Sequence, residues 1–67
     1  MKIEFEYTAE KTVHFKIETC AYNSETVFVI YEDGEIRKMY NSLILVLQYF
    51  YNTYGQETME EVKDYFQ

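Results

Sequence analysis

Two short stretches near the start of the chain alternate apolar and charged side chains so strictly that they leave little choice of fold. Ile3, Phe5 and Tyr7 alternate with Lys2, Glu4 and Glu6, and Val13, Phe15 and Ile17 alternate with His14, Lys16 and Glu18. A period of two is that of a half-buried strand. Paired as a hairpin with Tyr7 opposite Val13, the two put Phe5 against Phe15 and Ile3 against Ile17. The wet face then sets Glu6 against His14, Glu4 against Lys16 and Lys2 against Glu18, each pair worth about 0.2–1 kcal/mol. A slip of one residue would turn apolar side chains to water, so this register is favoured. The three connecting residues, 9–11, lack the Gly or Asn that tight hairpins prefer.

Residues 19–25 read as a polar link containing Asn23 and Ser24. Residues 26–31, TVFVIY, are apolar on both faces, the pattern of a central strand covered on both sides. Asp33-Gly34 is a two-residue hairpin signal, since Gly accepts the positive φ of a type I′ turn. The returning strand, residues 35–39, places Ile36 beside Tyr31, Met39 beside Phe28 and Glu32 opposite Glu35 at an exposed turn.

The remainder reads as two helices. Asn41 or Ser42 can cap a helix over residues 43–54, with Gly55 as a left-handed stop. A fifth strand at 42–47 is the alternative; Leu-rich composition, length and caps favour helix. This helix is apolar nearly all round, with Leu43, Leu47, Phe50 and Tyr54 on one side and Ile44 and Tyr51 elsewhere. It needs cover beyond the sheet, from the second helix and from a second subunit. Leu43, Leu47, Phe50, Tyr51 and Tyr54 are therefore the expected homodimer interface. Thr58 and Glu61 fit a capping box that opens the last helix. The fold expected is α+β, an antiparallel sheet of about four strands in two hairpins followed by two helices, in one domain spanning 1–67.

In that last helix Glu57, Glu60, Glu61 and Asp64 recur at helical spacing and gather on one stripe, opposite Met59, Val62 and Phe66. Acids in a first turn suit the helix dipole and can simply open a solvated helix. The cap does not explain Asp64, however. The pairs Glu57–Glu61 and Glu60–Asp64 repel by about a few tenths of a kcal/mol each, and only Lys63 stands nearby. With twelve acidic against six basic residues and a net charge of −6, the row points to a basic partner. Glu32, Asp33 and Glu35 at the hairpin tip would extend it.

Other chemistry finds little support. His14 is the sole His and lies on a wet strand face. Cys20, the sole Cys, has no marked base and cannot form an internal disulfide, which with no signal peptide favours a reducing cytoplasm. The two glycines are isolated, so no phosphate loop exists, and no metal-ligand spacing occurs. Direct nucleic-acid binding is opposed by the charge, with Arg37-Lys38 the only adjacent basic pair. The longest apolar run is too short for the ~20 residues of a membrane span. A non-enzymatic protein is expected, with no cofactor, metal, membrane or small-molecule substrate. Eight Tyr and five Phe are nonetheless more rings than 67 residues can hide, so some must face water or a partner.

In size, charge and aromatic richness, and in the row Glu57, Glu60, Glu61 and Asp64, the chain resembles the small acidic proteins that phages of Gram-positive hosts make for host takeover. Several of those are dimeric DNA mimics. The resemblance implies an inhibitor acting in the host bacterial cytoplasm. It would occupy the DNA-binding surface of a basic host protein such as the histone-like protein HU or the sliding clamp. The alternative is a non-catalytic interaction module that docks through an exposed Tyr/Phe patch.

Overall fold

The computed structural model describes residues 2–8 and 12–66. The strands are β1 (Lys2–Thr8), β2 (Thr12–Tyr22), β3 (Glu25–Glu32) and β4 (Glu35–Tyr40), and the helices α1 (Leu43–Tyr54) and α2 (Gln56–Tyr65) follow. The strands form one antiparallel sheet in sequence order, β1-β2-β3-β4. This is the expected α+β fold, and the strand order makes the sheet a continuous meander.

The first hairpin has the register that its alternation requires: Tyr7 faces Val13, Phe5 faces Phe15 and Ile3 faces Ile17. Phe5 and Phe15 stack with ring centres 5.0 Å apart. On the wet face the opposed charges are in place, yet the ion pairs run along the strands, Lys2 to Glu4 at 3.8 Å and Lys16 to Glu18 at 3.0 Å. Lys16 instead meets its other cross-strand neighbour, lying 4.2 Å over the Tyr31 ring. The connection at residues 9–11 lies outside the described residues.

The expected polar link at 19–25 is not a link. β2 continues through Tyr22 and reverses over Asn23 and Ser24, whose φ angles are 50° and 66°. Two consecutive positive φ values make a type I′ turn without glycine, which short polar side chains tolerate. The second reversal is the expected one, with Asp33 at φ 51° and Gly34 at φ 84°. Beyond it Ile36 faces Tyr31 and Glu35 faces Glu32, but Met39 faces Val29 and Phe28 faces Tyr40. The register shifts because Arg37 is an extra, unpaired residue, a bulge in the edge strand.

Both helices cover one face of the sheet. Phe5, Phe15, Ile17 and Ile30 meet Val46 and Phe50 of α1 and Val62 of α2 in a single core. β3 is therefore covered on one side, not two. Its other side exposes an apolar strip in which Val29 is shielded only by its neighbours, while Ile36 and Met39 are 58% and 60% exposed.

α1 spans the residues its sequence predicts, with Ser42 in extended conformation before it and no side-chain cap. Gly55, at φ 100° and ψ 178°, ends it in a conformation open essentially to glycine, though not the left-handed helical one expected. Its N–H reaches the carbonyls of Phe50 and Tyr51, while its own carbonyl accepts the Met59 N–H at 3.2 Å. One residue thus closes α1 and opens α2. The capping box at Thr58 consequently does not form: α2 has already begun at Gln56, and Thr58 is fully buried with its hydroxyl unpartnered.

Candidate partner-binding surface

The acidic row is fixed in space by what lies behind it. Val62 and Thr58 are fully buried, the Tyr65 ring stacks on Phe5 at 5.4 Å and Phe66 meets Phe28 edge-on at 5.8 Å. These contacts set the rotation of α2, so Glu57, Glu60 and Asp64 are exposed and Glu61 is half-buried. Among the described residues none of the four pairs with a Lys or Arg; Gln56 donates to Glu60 at 3.1 Å. The row is therefore an uncompensated line of charge held on a packed helix.

The hairpin tip is built differently from its expected role. Glu32 was expected on the acidic surface and instead points inward, 8% exposed. It shares the core face with Phe28 and Ile30, two residues apart along the strand. Tyr49 and Tyr54 of α1 both donate to its Oε1, at 2.9 and 2.8 Å, and Arg37 sits 3.3 Å from its Oε2. The bulge brings Arg37 to this carboxylate, and the same guanidinium lies 3.5 Å from Glu35. The expected Glu32–Glu35 repulsion is thereby offset. Burial, followed by the bond to Glu32 and its charge, pushes the Tyr49 phenol up to about 12. The Tyr54 phenol rises for the same reasons in the same order.

Asp33 and Glu35 do face solvent. Asp33 is also tied back to the sheet, accepting the His14 N–H at 3.1 Å and donating its own N–H to the His14 carbonyl at 2.8 Å. Because Tyr54 holds Glu32 and immediately precedes Gly55, these two carboxylates lie at the end of the molecule where the α2 row begins.

Of the five residues expected to form a dimer contact, Phe50 is fully buried in its own subunit. Its ring packs 5.3 Å from Phe15, and Tyr54 packs 5.0 Å from Phe15. Leu43 and Leu47 are half-buried against the same core, which leaves Tyr51 facing water. The exposed apolar residue of this helix that the expected contact left out is Ile44, 67% exposed, with Tyr51 at 51%. The signal was helix phase: once Val46 and Phe50 point inward, positions 44, 48 and 51 point out. Ile44, Leu47, Gln48, Tyr51 and Asn52 of α1, with Met59 of α2, line a cleft of about 230 Å³.

The exposed rings are Tyr22, Tyr51 and Tyr65, and every Phe is at least half-buried. The apolar surface is thus tyrosine and aliphatic rather than phenylalanine. Cys20 is exposed. Among the described residues no group of three His, Cys, Asp or Glu side chains is placed to hold a metal ion, and no helix is long and apolar enough to cross a membrane. No protein-family model, curated protein or solved structure matches the chain.

Proposed function

We propose that the chain is a non-catalytic inhibitor that occupies the DNA-binding surface of a bacterial DNA-binding or replication protein, presenting carboxylates where phosphates would lie. The observation that carries this reading is the row Glu57, Glu60, Glu61 and Asp64, unpaired with any described cation along one ten-residue helix. Carboxylates one turn apart are ~5.4 Å apart along the axis, against ~3.4 Å of axial rise per phosphate on one DNA strand. The match is coarse, but a basic cleft reads charge density more than spacing. Because the rotation of α2 is fixed by Val62, Tyr65 and Phe66, the charges need no ordering on binding. Like charges along the row lower helix stability slightly and give in return fast, steered association with a basic surface.

The test is capture from bacterial lysate on the tagged protein, washed at low and then high salt. A basic DNA-binding protein released by salt, and lost when Glu60→Gln, Glu61→Gln and Asp64→Asn are combined, is the expected result. Partner binding unchanged in that triple variant, with its circular dichroism intact, rules the reading out.

The open sheet face supports a second reading, an interaction module docking through apolar contacts. Tyr31 pairs with Ile36 and Val29 with Met39 on that face, and Ile36 and Met39 are well exposed. A partner held there survives high salt and is lost on Ile36→Lys or Met39→Lys.

A further inference from the structure

We infer that the solvent face of α1 is a self-association surface whose occupant is a second copy of this chain. α1 is twelve residues long, LILVLQYFYNTY, and among the described residues is the only helix or strand without an Asp or Glu. In a molecule of net charge −6, every other helix or strand carries at least one carboxylate into a contact between two copies. Through α1 two copies bring none. A cationic partner gains nothing from this face, because no carboxylate stands on it to be met. An uncharged, apolar face on a strongly acidic protein is matched by another of the same kind.

The geometry is self-complementary. Ile44 and Tyr51 are seven residues apart, about 10.5 Å along the axis, on one side of the helix. A two-fold axis beside Leu47 and Gln48 crosses two antiparallel α1 helices and seats Ile44 of each copy against Tyr51 of the other, as a closed isologous contact requires. The cleft beside it, about 230 Å³ and floored by Leu47 and Met59, has room for one large side chain from the second copy. Gln48 and Asn52 border the contact with amides that can pair across the axis.

Other faces serve two copies less well. The open sheet face is apolar over β3 and β4 but carries Glu4, Glu6, Glu18 and Glu25 against only Lys2 and Lys16 on the same side, by the strand pairing. The β4 edge holds Arg37 and Lys38 and a bulge, features that oppose strand-to-strand pairing. On α2, Met59 lines the cleft, while Glu57, Glu61 and Asp64 point to the other side of the helix. A dimer through α1 therefore leaves the acidic row uncovered and doubles it. The inference does not depend on what the row binds.

Sedimentation equilibrium across the micromolar range tests it. The expected mass is twice the 8.2 kDa chain mass, held or strengthened by added salt. Ile44→Glu combined with Tyr51→Glu should return the mass to that of one chain with circular dichroism unchanged, since both side chains are exposed. Gln48→Arg, which sets like charges across the axis, should do the same. A wild-type mass of one chain throughout overturns the inference. So does a dimer that persists in these variants, or one that is lost instead on Ile36→Lys with Met39→Lys.

Discussion

Glu32 binds the hairpin tip to the helical layer. Its carboxylate accepts from Tyr49 and Tyr54 and faces Arg37, so three donors from two elements converge on one buried group. Glu32→Ala removes the acceptor of both phenols and leaves Arg37 only Glu35, and should lower unfolding free energy by about 2–4 kcal/mol in urea denaturation. The two phenols set a pH limit. Tyr49 ionises near 10.0 when unfolded and about 12 when folded, so stability is fully present below pH 10 and is lost as pH rises towards 12. Absorbance titration should show Tyr49 and Tyr54 ionising late, and thermal melts should fall over the same window. Thr58 is the opposite case, a buried hydroxyl with no partner. Thr58→Val keeps its shape and removes that group, and should stabilise by about 1 kcal/mol. The inward turn of Glu32 was legible in principle, because Phe28, Ile30 and Glu32 alternate onto one face. Its neighbours Asp33 and Gly34 mark a turn, and a carboxylate beside a turn reads as surface. Its two phenol partners stand 17 and 22 residues further on, beyond any local pattern.

At the level of elements, the first hairpin could be read in full because both of its faces constrain register, one by packing and one by charge. The Asn23-Ser24 reversal was not, since its signal is the backbone tolerance of two short polar residues rather than a glycine. Ser24 holds φ 66° at a steric cost, so Ser24→Gly should raise stability by about 0.5–1 kcal/mol, read as a higher urea midpoint at unchanged slope. The start of α2 was misplaced for a related reason. A capping box assumes a linker before the helix, and Gly55 dispenses with one by serving both helices. A Cβ at Gly55 would meet nothing within 4 Å, so the cost of Gly55→Ala is conformational alone, roughly 1–3 kcal/mol. The Arg37 bulge has no local signal in the sequence, and the ion pair it makes with Glu32 crosses to the neighbouring strand.

For the whole molecule, charge and apolar surface are partly segregated: carboxylates along α2, at the tip and on the β1–β2 side of the open sheet face, an uncharged stripe on α1, and an apolar strip over β3 and β4. Self-repulsion at net charge −6 should make the melting temperature rise as salt is added at neutral pH, most steeply below about 0.15 M. Composition alone made the acidity and the excess of rings plain. Which rings remain outside depended on helix phase, and so on packing. The order of the strands has a consequence for synthesis. Every strand pairs with the next, so each hairpin can close as soon as it leaves the ribosome, and contacts this local form fast. The sheet is then complete by residue 40, while both helices that cover it are still to come. Until α1 and α2 arrive, Phe5, Phe15, Ile17 and Ile30 lie bare on one side while Ile36 and Met39 lie bare on the other. A chain halted near residue 42 leaves apolar side chains bare on both sides of its sheet and should aggregate rather than fold.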